Sequence, residues 1–144
     1  MLIRRAEERD IPRIHGLLAQ VAQVHHTGRP DLFRAGGRKY TDTQLSQKIS
    51  DENAPIFVAV DDRERVLGYV FCQFEQHVNH NILTNVKTLY IDDLCVDEAL
   101  RAQHIGGALY AHAAEFARKS GCYNLTLNVW SCNPSAIKFY ESCG

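Results

Sequence analysis

The stretch from Asp92 to Tyr140 holds the residues whose types and order could do chemistry. A strand reading over Leu89–Val96 feeds a short loop and then a helix that opens on Gly106-Gly107. A helix start leaves its first backbone N–H groups without intrahelical partners and carries the positive end of the helix dipole. Set beside a strand end, such a start suits a phosphate or pyrophosphate. Taken alone, the glycine pair fits equally well a tight strand-to-helix turn. Two adjacent carboxylates, Asp92 and Asp93, lie in the strand just ahead of that loop. Neighbouring strand residues face opposite sides, so only one can enter a given cleft unless a bulge intervenes.

Other chemistries find less support. His25-His26 fits a solvated C-terminal helix turn, which the dipole favours. A metal site would need a third ligand that the sequence does not indicate, so no metal is expected. The five cysteines are Cys72, Cys95, Cys122, Cys132 and Cys143. Their number is odd and no pair has Cys-x-x-Cys spacing, so neither a zinc site nor a disulfide framework is read. Most lie in apolar stretches, where a free cysteine behaves as a small hydrophobe. The chain has 16 basic and 17 acidic residues, a net of -1, without the basic excess of a nucleic-acid-binding protein. Residues 1–39 carry 8 basic and 4 acidic side chains, and the rest carry 8 and 13. That basic N-terminal part is the only feature favouring a nucleic-acid partner, and none is expected.

The elements that must position these residues follow from periodicity. At 144 residues the chain suits one domain, residues 1–144, with enough length to bury a core. Leu2–Arg5 reads as a short strand. Asp10 reads as an N-cap with Pro12 in the first turn, and Ile11, Ile14, Leu18, Val21 and Ala22 share one face of a helix of about four turns. Thr27-Gly28-Arg29-Pro30-Asp31 breaks it. A weaker helix follows over Asp42–Ser50, with Leu45 and Ile49 inward. Pro55–Val60 and Val66–Phe74 form a hairpin around a polar turn. Both strands are apolar on both faces, which suggests a sheet covered by helices on at least part of each side. Val86–Val96 is a third long strand. Ile105, Ala108, Leu109, His112, Ala113 and Phe116 mark a strong helix, closed by Gly121 at C′. Tyr123–Val129 alternates Tyr, Leu, Leu and Val against Asn, Thr and Asn, a half-buried strand. Asn133 then caps a short helix with Pro134 at its first position. The order β α α β β β α β α makes a mixed α/β sandwich.

The run Val96-Asp97-Glu98-Ala99-Leu100-Arg101-Ala102-Gln103-His104-Ile105-Gly106-Gly107-Ala108-Leu109, followed by Asn133-Pro134-Ser135-Ala136-Ile137-Lys138-Phe139-Tyr140, resembles the GCN5-related N-acetyltransferase (GNAT) superfamily, as a small single-domain member of bacterial type. Arg101, Gly106 and Leu109 fall in register with its first motif. A second register, Gln103-x-x-Gly106-x-Ala108, also fits the loose pattern; the helix pattern and Leu109 favour the first. The later Asn, Ala and Phe-Tyr also match. His104 stands where the family has its first glycine, a position that histidine tolerates better than most residues if φ is positive. A partly protonated His104 could favour phosphates, or it could be an exposed loop side chain. The resemblance implies a mostly antiparallel mixed sheet flanked by helices. Members usually continue into one or two further strands after the point where this chain stops, so the C-terminal strands are expected to be missing, through truncation or with an edge left open. An edge open to a partner strand would allow a homodimer.

The resemblance also implies a chemistry: acetyl transfer from acetyl-coenzyme A to a primary amine on a small molecule or a protein. The amine has a pKa near 10 and must lose a proton, directly or through water. The family usually has a splayed, bulged strand here, and a carboxylate at the Asp92-Asp93 position would take the proton, Asp92 in preference to Asp93. A backbone N–H of Cys95 or Val96 would stabilise the oxyanion, worth roughly 3 kcal/mol in such sites. The pantetheine arm would lie along Leu94, Cys95 and Val96. Arg101 and the amides of Gln103, His104, Ile105, Gly106, Gly107 and Ala108 would hold the pyrophosphate. Asn133 would cap its helix, contact the pantetheine, or do both. Tyr140 would approach the sulfur and protonate the thiolate. The acceptor pocket would draw on the first two helices and the hairpin, with His25, His26, Phe33, Tyr40, Phe74 and His77 in reach but without assigned roles. The acidic surroundings of Asp92 and Asp93 would suit a cationic amine. A non-catalytic member that binds acetyl-coenzyme A as a sensor or structural ligand is the alternative. No stretch approaches the roughly 18 apolar residues of a membrane span, and no secretory apolar region follows Met1, so no membrane partner and a cytoplasmic location are expected.

Overall fold

The computed structural model describes residues 1–28, 40–76, 87–100 and 104–127. Five strands form one sheet in the order β1 (Leu2–Arg5), β2 (Ile56–Val60), β3 (Val66–Gln76), β4 (Lys87–Val96) and β5 (Asn124–Leu127). The first four pair antiparallel, and β5 runs parallel to β4. The helices are α1 (Ile11–Gly28), α2 (Asp42–Ser50) and α3 (Ile105–Lys119). The mixed, mostly antiparallel sheet flanked by helices agrees with the sequence reading. The helix expected after Asn133 lies outside the described residues, as do Asn128 and Val129.

Alternation along the strands sorts the core into two layers. Ile56, Val58, Val60, Val66, Tyr69 and Phe71 pack with Ile14, Leu17 and Leu18 of α1 and Leu45 of α2. Phe57, Ala59, Val70, Cys72, Leu89 and Ile91 pack with Ile105, Leu109, Ala113 and Ala117 of α3. Both faces of the sheet are therefore covered, as the two-sided apolar strands require.

Local chemistry sets the helix ends. Thr41 caps α2 by accepting the Gln44 N–H, while the Gln44 side chain accepts the Thr41 N–H. α3 ends in a Schellman motif: Gly121 has φ +76, its N–H donates to Arg118, and the Cys122 N–H donates to Ala117. α1 is longer than expected, at 18 residues. Asp10 closes a short 3-10 turn ahead of it, and its carboxylate accepts the Glu7 N–H and a two-pronged Arg4 ion pair. Burial would raise the Asp10 pKa, but the Arg4 bonds and the Glu7 N–H hold it below the ordinary value. Tyr123 departs from the expected half-buried pattern. It lies just outside β5 and is 77% exposed, although its N–H donates to the Lys87 carbonyl of β4 at 2.7 Å.

Candidate active site

The register of β4 decides where its carboxylates point. Phe71 of β3 pairs with Asp93, but the next residue, Cys72, pairs with Ile91, so Asp92 is the extra residue of a bulge. Leu89 and Ile91 face α3, whereas Cys95, which shares their parity, packs with the α1 layer. The bulge thus reverses the alternation and brings Asp92 and Asp93 to the same side, facing α1 and α2. Each accepts a tyrosine hydroxyl. Tyr40, just before α2, donates to Asp92 Oδ2 at 3.2 Å, and Tyr69 of β3 donates to Asp93 Oδ2 at 2.7 Å.

The two tyrosines differ in setting. Tyr69 is fully buried, with its ring edge-to-face on Phe71. Tyr40 is half-buried; its ring stacks on Phe71 at 5.7 Å and Lys48 Nζ lies 5.2 Å from its centre. Burial first, and then the facing carboxylates, push both phenol pKa values up. Both hydroxyls therefore remain donors at neutral pH. The Cys95 thiol is buried under α1, 3.7 Å from the Leu17 carbonyl. Cys72, on the opposite face, has its thiol pushed up to about 12 by burial.

Beyond the bulge, β4 changes neighbours. β5 pairs with Thr88–Ile91, whereas the described pairings of Asp93–Val96 are all with β3. The side chains of Leu94 and Val96 pack in the α3 layer. β3 and β4 approach closely here because Gly68, opposite Val96, lacks a side chain: a Cβ on it would lie 2.7 Å from the Cys95 carbonyl oxygen.

The start of α3 has the form an anion site needs. His104 is its N-cap, in the left-handed region with φ 63 and ψ 17, so the histidine does adopt the glycine-like conformation. Its exposed side chain makes no capping bond, while its carbonyl accepts the Ala108 N–H. Ile105 is buried and anchors the first turn; Gly106, Gly107 and Ala108 are partly exposed. A Cβ on Gly107 would meet nothing within 4 Å, so protein packing does not require this glycine. These features fit the pyrophosphate of a coenzyme approaching the helix end.

Several sequence candidates are placed elsewhere or not at all. Phe74 packs on Phe116 of α3, with Lys87 Nζ 4.2 Å from its ring centre, on the face opposite the aspartates. Arg101, Gln103, Asn133, Tyr140, Phe33 and His77 lie outside the described residues, as do the side chains of His25 and His26. No group of three or more His, Cys, Asp or Glu suited to a metal ion occurs among the described residues, and no described helix is long and apolar enough to cross a membrane. Sequence reasoning missed Tyr69 and the Arg13–Asp97 ion pair. The first is visible only through strand register, and the second joins residues 84 positions apart.

Two carboxylates thus share one face of a bulged strand whose end leads, through the 3-10 turn Glu98–Leu100, toward the N-terminus of α3. The sequence pattern of the acetyltransferase (GNAT) family matches residues 19–144, and the chain belongs to that family. It is 26% identical to the probable glucosamine 6-phosphate N-acetyltransferase of Drosophila melanogaster over its whole length, spanning 60% of the fly protein. It is also 26% identical to the peptidyl-lysine N-acetyltransferase YjaB of Salmonella typhimurium, over 99% of this chain and 81% of that protein. The solved structure of a tetramutant of the BH1408 protein from Bacillus halodurans superposes with a TM-score of 0.93 at 29% identity, covering 99% of this chain and 91% of that one.

Proposed function

We propose that the chain transfers the acetyl group of acetyl-coenzyme A to a primary amine that carries positive charge. The observation that carries this reading is the bulge, which turns Asp92 and Asp93 to one face directly ahead of the open α3 N-terminus. Asp92, held by the partly exposed Tyr40, takes the amine proton directly or through a water. The freed nitrogen attacks the thioester carbonyl. A backbone N–H of Cys95 or Val96 meets the oxyanion. The nitrogen gives its second proton to solvent as the C–S bond breaks, and the thiolate takes a proton from Tyr140, which solvent restores; the role of Tyr140 rests on the family motif alone. Asp93, anchored on buried Tyr69, adds negative charge that favours a cationic acceptor. The amides from His104 to Ala108 hold the pyrophosphate; Arg101 and Gln103 are assigned to the same phosphates, and Asn133 to the pantetheine, on the family motif alone. The chemistry needs no metal, and we place the protein in the cytoplasm.

The test is isothermal titration with acetyl-coenzyme A, combined with a thiol-release assay across an acceptor panel. The panel includes a polyamine, an aminoglycoside, a lysine peptide and glucosamine 6-phosphate. Turnover is expected on the cationic amines. Preference for the anionic sugar phosphate would overturn the cationic assignment. Binding without turnover on any acceptor would favour a sensor of acetyl-coenzyme A, and absence of binding would overturn the reading entirely.

A further inference from the structure

Arg13 runs against the usual electrostatics of a helix. It lies in the first turn of α1, which holds no acidic residue, and a cation there opposes the positive end of the dipole. Its partners account for it. The guanidinium forms an ion pair through Nη2 with Oδ2 of Asp97 and donates from Nε to the Val66 carbonyl at 3.0 Å. Asp97 is buried. Its Oδ1 accepts the Ala99 N–H at 3.0 Å, with the Gln20 amide at 3.5 Å. Its own N–H donates to the Leu67 carbonyl at 2.9 Å, and its carbonyl accepts the Leu100 N–H at 2.8 Å. The bonds end on three different places: α1, the start of β3, and the short 3-10 turn Glu98–Leu100.

That turn is where the chain leaves β4 for α3. A coenzyme bound as proposed has two fixed points, its thioester against β4 and its pyrophosphate at the α3 N-terminus. The dipole and amide contribution fades within one helical turn, so the offset between strand end and helix start decides whether both points are met together. A partly buried ion pair is weak evidence for stability as such; an arrangement that joins three elements at the exit of the reactive strand has a geometric use.

We infer that Arg13 and Asp97 are positioning residues for the coenzyme, setting where the α3 N-terminus stands relative to β4, the strand against which the thioester lies. Neither touches substrate. The inference rests on the reading that acetyl-coenzyme A binds at the β4–α3 junction.

The test uses Arg13→Lys and Asp97→Asn in the full chain. Lysine keeps the charge but lacks the planar fork that serves two acceptors; asparagine keeps an acceptor for the Ala99 N–H but loses the charge. Thermal melting establishes that each variant is folded. The acetyl-coenzyme A KM and its Kd by isothermal titration are expected to rise about tenfold. The acceptor KM, and kcat at saturating coenzyme, should stay within about twofold of the parent. The double variant should be little worse than either single one, because both changes break the same pair. A folded variant with the parent's coenzyme Kd would overturn the inference, as would equal losses in coenzyme and acceptor parameters. A variant too unstable for kinetics is titrated in the cold, where the same comparison of Kd decides. Failure of the parent itself to bind acetyl-coenzyme A would instead overturn the reading beneath.

Discussion

Asp92 and Asp93 are adjacent in the chain, yet both face the α1 side of the sheet, each accepting a hydroxyl from a different tyrosine. A regular strand forbids this arrangement, and the break in register opposite Phe71 and Cys72 permits it. The two carboxylates are also unlike in depth of anchorage. Tyr69 is wholly enclosed, whereas Tyr40 is half-buried at the approach to α2. A proton acceptor has to be reached by substrate, and a structural acceptor does not. Both aspartates are themselves partly exposed, and on the difference between their tyrosines we propose Asp92 for chemistry and Asp93 for holding the bulge.

Exchange of each aspartate for asparagine separates those roles. Asp92→Asn should lower kcat by about 10²–10³-fold, the usual scale for loss of a general base, with little change in melting temperature. Asp93→Asn should leave the buried Tyr69 hydroxyl with a neutral, weaker acceptor. That costs about 1–2 kcal/mol of stability, with a smaller effect on kcat. Steady-state kinetics and thermal denaturation on both variants check the assignment. The reverse pattern would make Asp93 the base.

Gly68 controls the same strand from the other side. A Cβ there would lie 2.7 Å from the Cys95 carbonyl oxygen and 3.3 Å from the Val96 Cα, both backbone atoms that cannot swing away. Gly68→Ala should therefore push β4 from β3, costing about 1–3 kcal/mol as an overpacked site does. Because the displaced atoms belong to Cys95 and Val96, kcat should fall in the fraction that remains folded. Urea denaturation read beside activity at matched folded fraction tests both effects.

The particular residues show why some of this is legible in the chain and some is not. The bounds of α2 can be read because Thr41 and Gln44 form a local capping pair, and the end of α3 because Gly121 must take a positive φ. The glycine-like loop at His104 is readable from the motif register, and the histidine adopts the left-handed conformation expected there. The bulge is suggested only by the family resemblance: a single strand carries no mark of its partner's register, so the common face of Asp92 and Asp93 emerges once β3 is laid beside β4. Arg13 and Asp97 escape for the same reason, since an ion pair across 84 positions has no local signature. Phe74 reads with the acceptor residues, but the parity of β3 sends it to the α3 face.

His112 gives the fold a pH dependence of known sign. Its ring packs edge-on against Phe57 at 4.6 Å, and burial, aided by Lys119, lowers its pKa below 6.5. As pH falls through 6.5 the unfolded chain takes up this proton first. Stability is therefore fully present above that pH and lost as pH drops toward the folded value. His112→Gln should flatten this part of the curve, so the difference in melting temperature between pH 7.5 and 5.5 (roughly the span over which the histidine titrates) shrinks relative to the parent. An unchanged difference would show that His112 is not responsible.

Gly107 offers a test in which stability and binding move in opposite directions. It lies in the first turn of α3, and an added Cβ would meet nothing within 4 Å. By helix propensity alone, Gly107→Ala should stabilise the fold by up to about 1 kcal/mol. A glycine retained where alanine would be better for the helix needs another reason, and approach of a pyrophosphate to the exposed backbone amides supplies one. The variant should therefore melt higher while its acetyl-coenzyme A KM rises severalfold and its acceptor KM holds. A higher melting temperature with an unchanged coenzyme KM would mean that the ligand does not pass over this residue, and the pyrophosphate would have to be placed nearer His104 and Gly106.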